Sequence, residues 1–251
     1  GITNLAYWHA KRSLRYGEKD ALQEVKSWME HQAFYLTEAT VELAKERGPC
    51  SHSGLTRYGK GEFPWERRAK AVNELANFKP ELDWETLRAK MKTFGVRNAT
   101  LMAVAPVESS SVVINSTNGI EMPMSLITVK ESKAGSLIQV APEYNKLKTK
   151  YQLMWEQRDC DGYLKTAAVI AAYVDQSIST NTFYNPAHFA DRKVPTTLIA
   201  KNLMLAHRWG LKTFYYSLIN KQGSKGQDEP VETKLEVIDF DNEDDCESCK
   251  L

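Results

Sequence analysis

Thr100-Leu-Met-Ala-Val-Ala-Pro106 passes directly into Val107-Glu-Ser-Ser-Ser111. The first stretch is a short apolar run closed by proline, which fits a buried strand, and the second is a hydroxyl-rich loop at its end. Hydroxyls and unpaired backbone N–H groups at such a turn can hold phosphate oxygens, above all where a helix begins. Serine-rich turns after strands also serve simply as caps, and spacing alone does not choose between the two. Asn118-Gly119, a few residues on, marks a tight turn of ordinary structural kind.

Outward from that strand the periodicities alternate between helix and sheet. Upstream, Leu22, Val25, Met29, Phe34, Leu36, Val41 and Leu43 recur at three and four spacings over 19–47, and Gly48-Pro49 stops the pattern. This predicts one long or two consecutive amphipathic helices. Residues 50–64 read as a glycine-punctuated loop, and short helices are expected at 65–76 and 83–93, with Asp83 as N-cap of the second. Downstream, Met124–Val129 and Ser136–Val140 alternate apolar with polar residues around Lys133-Ala134-Gly135, the pattern of a hairpin. Helices fit 143–157, 162–178 and 194–209, the last closed by Gly210, and a final strand fits 212–219. The fold class is therefore α/β.

The composition is that of a globular chain. Of 251 residues, 42% are hydrophobic, enough for a sizeable core, and 33 basic against 32 acidic residues give no global reason to expect a nucleic-acid or acidic-membrane partner. No apolar stretch approaches the roughly 18–20 residues of a membrane helix, and no signal-peptide pattern opens the chain, so a cytoplasmic setting is expected. The chain opens Gly1-Ile-Thr-Asn and runs at once into Leu5, Tyr7 and Trp8, residues suited to the inside of a fold, which suggests a piece of a longer protein. Charge is uneven: from Asp228 to Asp245 nine carboxylates face one lysine, Lys234. With few apolar anchors beyond Lys221, residues 222–251 are expected to form a disordered acidic tail, distinct from a folded unit at 1–221.

Two further motifs carry chemistry. Tyr215-Tyr216 lies in the last strand candidate, where neighbouring side chains point to opposite faces, so a regular strand would give one core ring and one surface ring. A functional pair would need both phenols close together and hence an irregular backbone. Stacked tyrosines can pass an electron and a proton together, because a neutral phenoxyl radical is accessible to them and not to phenylalanine. Cys246-Glu-Ser-Cys249 ends the acidic tail and is either half a zinc site or a redox dithiol. His9, His31, His52, His188 and His207 are scattered and supply no matching second pair of ligands, so the redox reading is preferred and no metal site is expected. A flexible tail of this length spans roughly 30 Å on average, which would let the dithiol visit a buried site and return to solvent. Cys50 and Cys160 are read as structural.

These features, in this order, resemble the large subunit of class I ribonucleotide reductases, and the likeness runs from Gly1 to Leu251. Asn98-Ala-Thr, Asn115-Ser-Thr-Asn-Gly-Ile-Glu121, Asp161-Gly-Tyr, Asp175-Gln-Ser-Ile-Ser179, Lys193-Val-Pro195 and Gly210-Leu-Lys-Thr213 also look like segments of that family. The resemblance implies the C-terminal part of a ten-stranded α/β barrel that this chain cannot close alone. It implies that Pro106, Val107, Glu108, Ser109 and Ser110 bind the phosphates of a ribonucleoside diphosphate, although Val107 replaces the usual hydroxyl residue. It implies that Tyr216, on the subunit side, and Tyr215, on the active-site side, relay a radical from the small subunit. Cys246 and Cys249 would be the shuttle dithiol, reduced in turn by thioredoxin or glutaredoxin.

By the same resemblance the radical-forming cysteine, the cysteines that become oxidised and the nucleotide-effector sites belong to an upstream N-terminal part. No cofactor is expected on this chain, the radical coming from the metal cofactor of the small subunit. The expected activity is reduction of ribonucleoside diphosphates together with both partners. Two alternatives remain open: a non-catalytic assembly module for the small subunit, and a standalone thiol carrier using only the tail.

Overall fold

A computed structural model of the chain describes residues 2–132, 135–221 and 237–239. Its spine is helix α2, Lys19–Arg47, which follows the short α1, Leu5–Arg12. Nothing in those 29 residues breaks a helix, and Leu22, Val25, Met29, Ala33, Val41 and Ala44 bury one continuous face. The helix stops at Gly48, whose φ of 80° is costly for residues with a Cβ. It packs against α3, Trp84–Phe94, and α6, Asp161–Ala171. Asp83 caps α3 as its sequence position predicts, accepting from the Thr86 amide at 3.0 Å. The α1–α2 turn touches the start of α6 through two glycines: a Cβ on Gly17 would lie 2.5 Å from the Gly162 Cα.

α2 is tied to the chain that leads into α3 by a buried ionic node. Lys26, fully buried, donates to Glu30 Oε2 (2.5 Å), Glu81 Oε1 (2.8 Å) and the Lys79 carbonyl (2.9 Å). The other oxygen of Glu30 accepts from the Glu81 amide, the Leu82 amide and the Trp84 indole. Burial opposes the charge on Glu30, but these donors outweigh it and hold its carboxyl below the usual range.

Several expected helices are shorter, because side-chain contacts or a neighbouring segment compete with the helical ladder. The helix expected over 65–76 is two 3-10 turns, Pro64–Arg67 and Lys70–Glu74. Between them Arg68 becomes extended (ψ 153°) while its guanidinium takes the Trp65 carbonyl (2.6 Å) and stacks on Phe78. Of 143–157 only α5, Tyr144–Leu147, and a 3-10 turn at Met154–Glu156 are helical. The intervening chain is drawn out by Tyr151, whose hydroxyl donates to the Pro142 carbonyl, and by Gln152, which accepts the Tyr16 amide. α6 ends at Ala171 rather than 178, because residues 176–179 enter a parallel ladder. α7, Thr196–Arg208, fits its expectation closely and is closed by Gly210 at φ 86°.

The strands fall in two groups. β1, Ile127–Ser132, and β2, Gly135–Val140, form the expected antiparallel hairpin, a few residues later than read for its first strand. β3, Thr182–Tyr184, and β4, Ser217–Ile219, pair in parallel. Thr100–Pro106 contributes a single parallel bridge, Val104 with Ile178, rather than a full strand. Val237–Asp239, inside the stretch expected to lack order, forms β5 in parallel with β1; the rest of 222–251, with Cys246 and Cys249, lies outside the described residues. The architecture is mixed helix and sheet as expected, but no barrel closes among the described residues.

Removing one partner of the Lys26 node leaves the other charge buried. Glu30→Ala should lower unfolding stability by about 3–5 kcal/mol, read from the urea midpoint. Lys26→Met should cost less, since Glu30 keeps three N–H donors. A Glu30→Ala variant as stable as the parent would refute the node.

Candidate active site

Three extended segments lie side by side. Residues 102–104 bond to 176–179 through Gln176 N–H to Met102 O, Val104 N–H to Ser177 O and Ser179 N–H to Val104 O (3.1, 2.9 and 2.8 Å). Further along the same middle segment, Tyr215 N–H bonds to Thr180 O, and Thr182 N–H to Tyr216 O (2.8 and 2.9 Å). The loop leaving 102–104 and the chain entering β4 therefore meet beside Asn181.

At the end of the first segment Pro106 turns the chain into α4, Glu108–Val113. The first bond of this helix runs from Ser111 N–H to Val107 O (2.8 Å), so the amides of Glu108, Ser109 and Ser110 precede the ladder, as first-turn amides do. Val107 lacks a hydroxyl but still supplies the carbonyl that starts the helix. Ser109 and Ser110 are exposed, whereas Ser111 is buried and donates to the Glu108 carbonyl. The serines thus divide: two face outward and one closes the turn.

The tyrosine pair departs from the regular strand. Only Ser217–Ile219 is strand, and the rings of Tyr215 and Tyr216 sit with centroids 4.1 Å apart at 51°. The cause is local. Tyr216 N–H bonds not to a main-chain carbonyl but to Asn181 Oδ1 (2.9 Å), and Asn181 Nδ2 bonds in turn to Glu121 Oε1 (2.5 Å). A groove of about 290 Å³ is lined by Glu108, Ser111, Glu121, Asn181 and Tyr216, with an apolar wall that includes Met122, Met124 and Met154. A smaller cavity of about 20 Å³ joins Pro106, Val107 and Glu108 to Glu121, Asn181 and Tyr215. Loop and tyrosine pair therefore share one surface, whose centre is Glu121 and Asn181.

Neither of those two residues was singled out for function by the sequence. Glu121 lies in the segment Asn115–Glu121 that resembled the family, but a single carboxylate two residues after an Asn-Gly turn carries no signal of its own. Its pKa is pushed up to about 7, chiefly by burial, with the Asn181 hydrogen bond opposing and the nearby charge of Glu108 adding. A separate cleft of about 340 Å³, lined by Arg57, Tyr58, Phe63, Arg68, Trp209 and Lys212 among others, contains none of the residues expected to act.

Cys160 is fully buried, accepts from Asn202 Nδ2 (2.8 Å), and has its thiol pushed up to about 11, mainly by burial, which suits a structural residue. Cys50 is half-buried. Among the described residues no group of three or more His, Cys, Asp and Glu is placed to hold a metal, and no helix is long and apolar enough to cross a membrane.

Pro106, Val107 and Glu108, at the carboxyl end of one parallel segment, share a crevice with the tyrosine pair on another, while Ser109 and Ser110 do not line it; crevices at such strand ends are where α/β enzymes bind their ligands. The chain belongs to the ribonucleotide reductase barrel-domain family, whose profile matches residues 1–217. It is 41% identical over 248 residues to the ribonucleoside-diphosphate reductase subunit alpha of Buchnera aphidicola subsp. Acyrthosiphon pisum, covering 99% of this chain and 32% of that one. It is 40% identical over 253 aligned positions to ribonucleoside-diphosphate reductase 1 subunit alpha of both Salmonella typhimurium and Escherichia coli, covering all of this chain and 32% of each. The chain thus spans about a third of the length of these relatives.

Glu121 makes stability depend on pH. Its folded pKa of about 7 lies above the ordinary 4.5, so the folded chain holds a proton that the unfolded chain releases. Stability should fall as pH rises between those values and level off above them. Glu121→Gln removes that slope and should be the more stable form at pH 8, by about 1–2 kcal/mol after allowance for partial exposure. Urea midpoints at pH 5 and pH 8 check this, and parallel slopes for variant and parent would refute it.

Proposed function

We propose that this chain is the C-terminal part of a ribonucleoside-diphosphate reductase large subunit, and that it reduces ribonucleoside diphosphates together with an upstream N-terminal part and a small subunit. In this reading its parallel segments belong to a ten-stranded barrel completed by the upstream part, which also carries the nucleotide-effector sites. The observation that carries the proposal is the packing of Tyr215 on Tyr216 at 4.1 Å. A regular strand would separate those rings, so an irregular backbone has been built to bring them together.

The first-turn amides of Glu108, Ser109 and Ser110, with the two exposed hydroxyls, offer donors to the diphosphate, and Pro106 and Val107 set the turn. The radical arises from the metal cofactor of the small subunit. Each tyrosine in turn gives up one electron and one proton to the oxidised group before it, Tyr216 first and Tyr215 second, and the neighbouring group refills it. After turnover Cys246 and Cys249 give two electrons and two protons to the disulfide left in the active site, becoming a disulfide themselves. Thioredoxin or glutaredoxin then reduces them. A cytoplasmic setting, where thiols are kept reduced, suits that cycle.

The test uses the full large subunit with its small subunit. Tyr215→Phe and Tyr216→Phe should each drop deoxynucleotide formation to background with assembly intact, because phenylalanine cannot be oxidised to a neutral phenoxyl; undiminished turnover would instead favour a non-catalytic assembly module. Ser109→Ala and Ser110→Ala should each raise KM about tenfold, the loss of one hydrogen bond to a charged group. Cys246→Ser or Cys249→Ser should stop turnover sustained by thioredoxin yet spare one turnover of prereduced enzyme, and loss of both would contradict the shuttle.

A further inference from the structure

Successive amides of a regular strand point to opposite sides. Those of Tyr215 and Tyr216 both turn toward the same neighbouring segment, one reaching the Thr180 carbonyl and the other the Asn181 side chain. From Ser217 onward the pairing with β3 is regular. The irregularity that brings the rings together is thus satisfied by one side-chain oxygen. A carboxamide has two ends, and only its oxygen can accept from Tyr216 N–H. What obliges Asn181 to present that oxygen is its other end: Nδ2 faces Glu121 Oε1 at 2.5 Å, and Glu121 Oε2 accepts from Asn118 Nδ2 at 3.3 Å. Asn181 is itself buried, so an inverted amide would leave two polar groups mismatched away from water.

We propose that Glu121 and Asn181 form a latch that fixes the close packing of Tyr215 on Tyr216, with Glu121 a positioning residue that governs how fast the pair conducts. The inference rests on the relay reading of that pair and extends it to two residues outside the motif. Among the described residues, the charged and titratable groups that interact with Glu121 from the elements around it are Glu108 of α4, Tyr16 between α1 and α2, and Tyr163 of α6. None is a cation, so the carboxyl is not held by an ion pair with any of them. Its firm partner is Asn181. Ionised, Glu121 accepts more strongly from Asn181 and the latch tightens; protonated, it loosens. Its pKa of about 7 puts that change within the working pH range.

The experiment again uses the full large subunit with its small subunit and a ribonucleoside diphosphate. Glu121→Ala should lower kcat about tenfold or more, the loss of a charge-assisted hydrogen bond, with KM unchanged. Glu121→Gln should restore most of that loss, since Gln can accept from Asn181 and its amide can donate to Asn118 Oδ1, an atom without a partner among the described residues. The rise of kcat with pH through 7 should be present in the parent and absent in Glu121→Gln.

Amide exchange of the peptide holding Tyr216 should speed up in Glu121→Ala and not in Glu121→Gln. If Glu121→Ala folds poorly, Asn181→Asp carries the test. It still accepts from Tyr216 but repels ionised Glu121, so its kcat should be depressed at pH 8 and recover toward pH 6, where one proton bridges the two carboxyls. An unchanged kcat in Glu121→Ala, a loss shared equally by kcat and KM, or a Gln variant as damaged as the Ala variant would each overturn the latch. Tyr216→Phe, run in parallel, separates the two levels. If it is inactive while Glu121→Ala is normal, only the latch fails; if it is active, the relay itself fails.

Discussion

The site depends on one stretch of backbone, residues 176–184, which is shared by two parallel neighbours at different heights. Its first half pairs with 102–104 and its second half with 215–219. Because all three segments run the same way, the chain leaving the first arrives at the level where the third begins. That stagger is what sets α4 beside the tyrosine pair. It is secured from behind by Asp175, whose carboxylate accepts from the amides of Leu101 (2.6 Å) and Met102 (3.1 Å) and from the Tyr58 hydroxyl (2.9 Å). One side chain thus aligns two segments 73 residues apart before their main chains meet.

How much of this could be read from sequence follows from how local each cause is. α2, α3 and α7 are written in nearby residues: an apolar face at three and four spacings, an Asp83 cap, a terminal glycine. The hairpin is likewise local, two alternating runs around a glycine. The expected helices over 65–76 and 143–157 fail for the opposite reason. Gln152 gives its side-chain oxygen to the Tyr16 amide 136 residues away, which nothing within a helical window records, and Arg68 turns its guanidinium back onto the Trp65 carbonyl and onto the Phe78 ring. The tyrosine pair shows the same limit at the site. Its two residues are visible in the sequence, and so is the need for an irregular backbone, but the Asn181 side chain that satisfies the irregularity lies 35 residues upstream.

The interior behind Glu121 explains why its carboxyl is so perturbed. The buried Tyr16 and Tyr163 lie close enough for its charge to raise their pKa further above the phenol range, after burial has done most of the work. His9, packed edge-on against Tyr16 with ring centres 4.4 Å apart, is pushed down to about 4 by the same burial and is neutral at physiological pH. Glu121 therefore stands between a groove open to solvent and an interior of uncharged polar rings. A charge held there costs stability.

Within the proposed function, the exposure of the pair becomes informative. Tyr215 is 40% and Tyr216 51% accessible, although an oxidised tyrosine must be kept from chance reductants. Large apolar side chains on β4 and α4 are exposed as well. Ile219 on β4 is 53% exposed, and Val113 and Ile114 at the end of α4 are 85% and 62% exposed. Parallel segments are as a rule covered on both faces. The rest of a subunit three times as long, and the small subunit that delivers the radical, are the covers that the proposal supplies. On this view the latch matters most because it acts before the cover arrives: it fixes the ring packing from within the chain, so that assembly closes over a relay already formed.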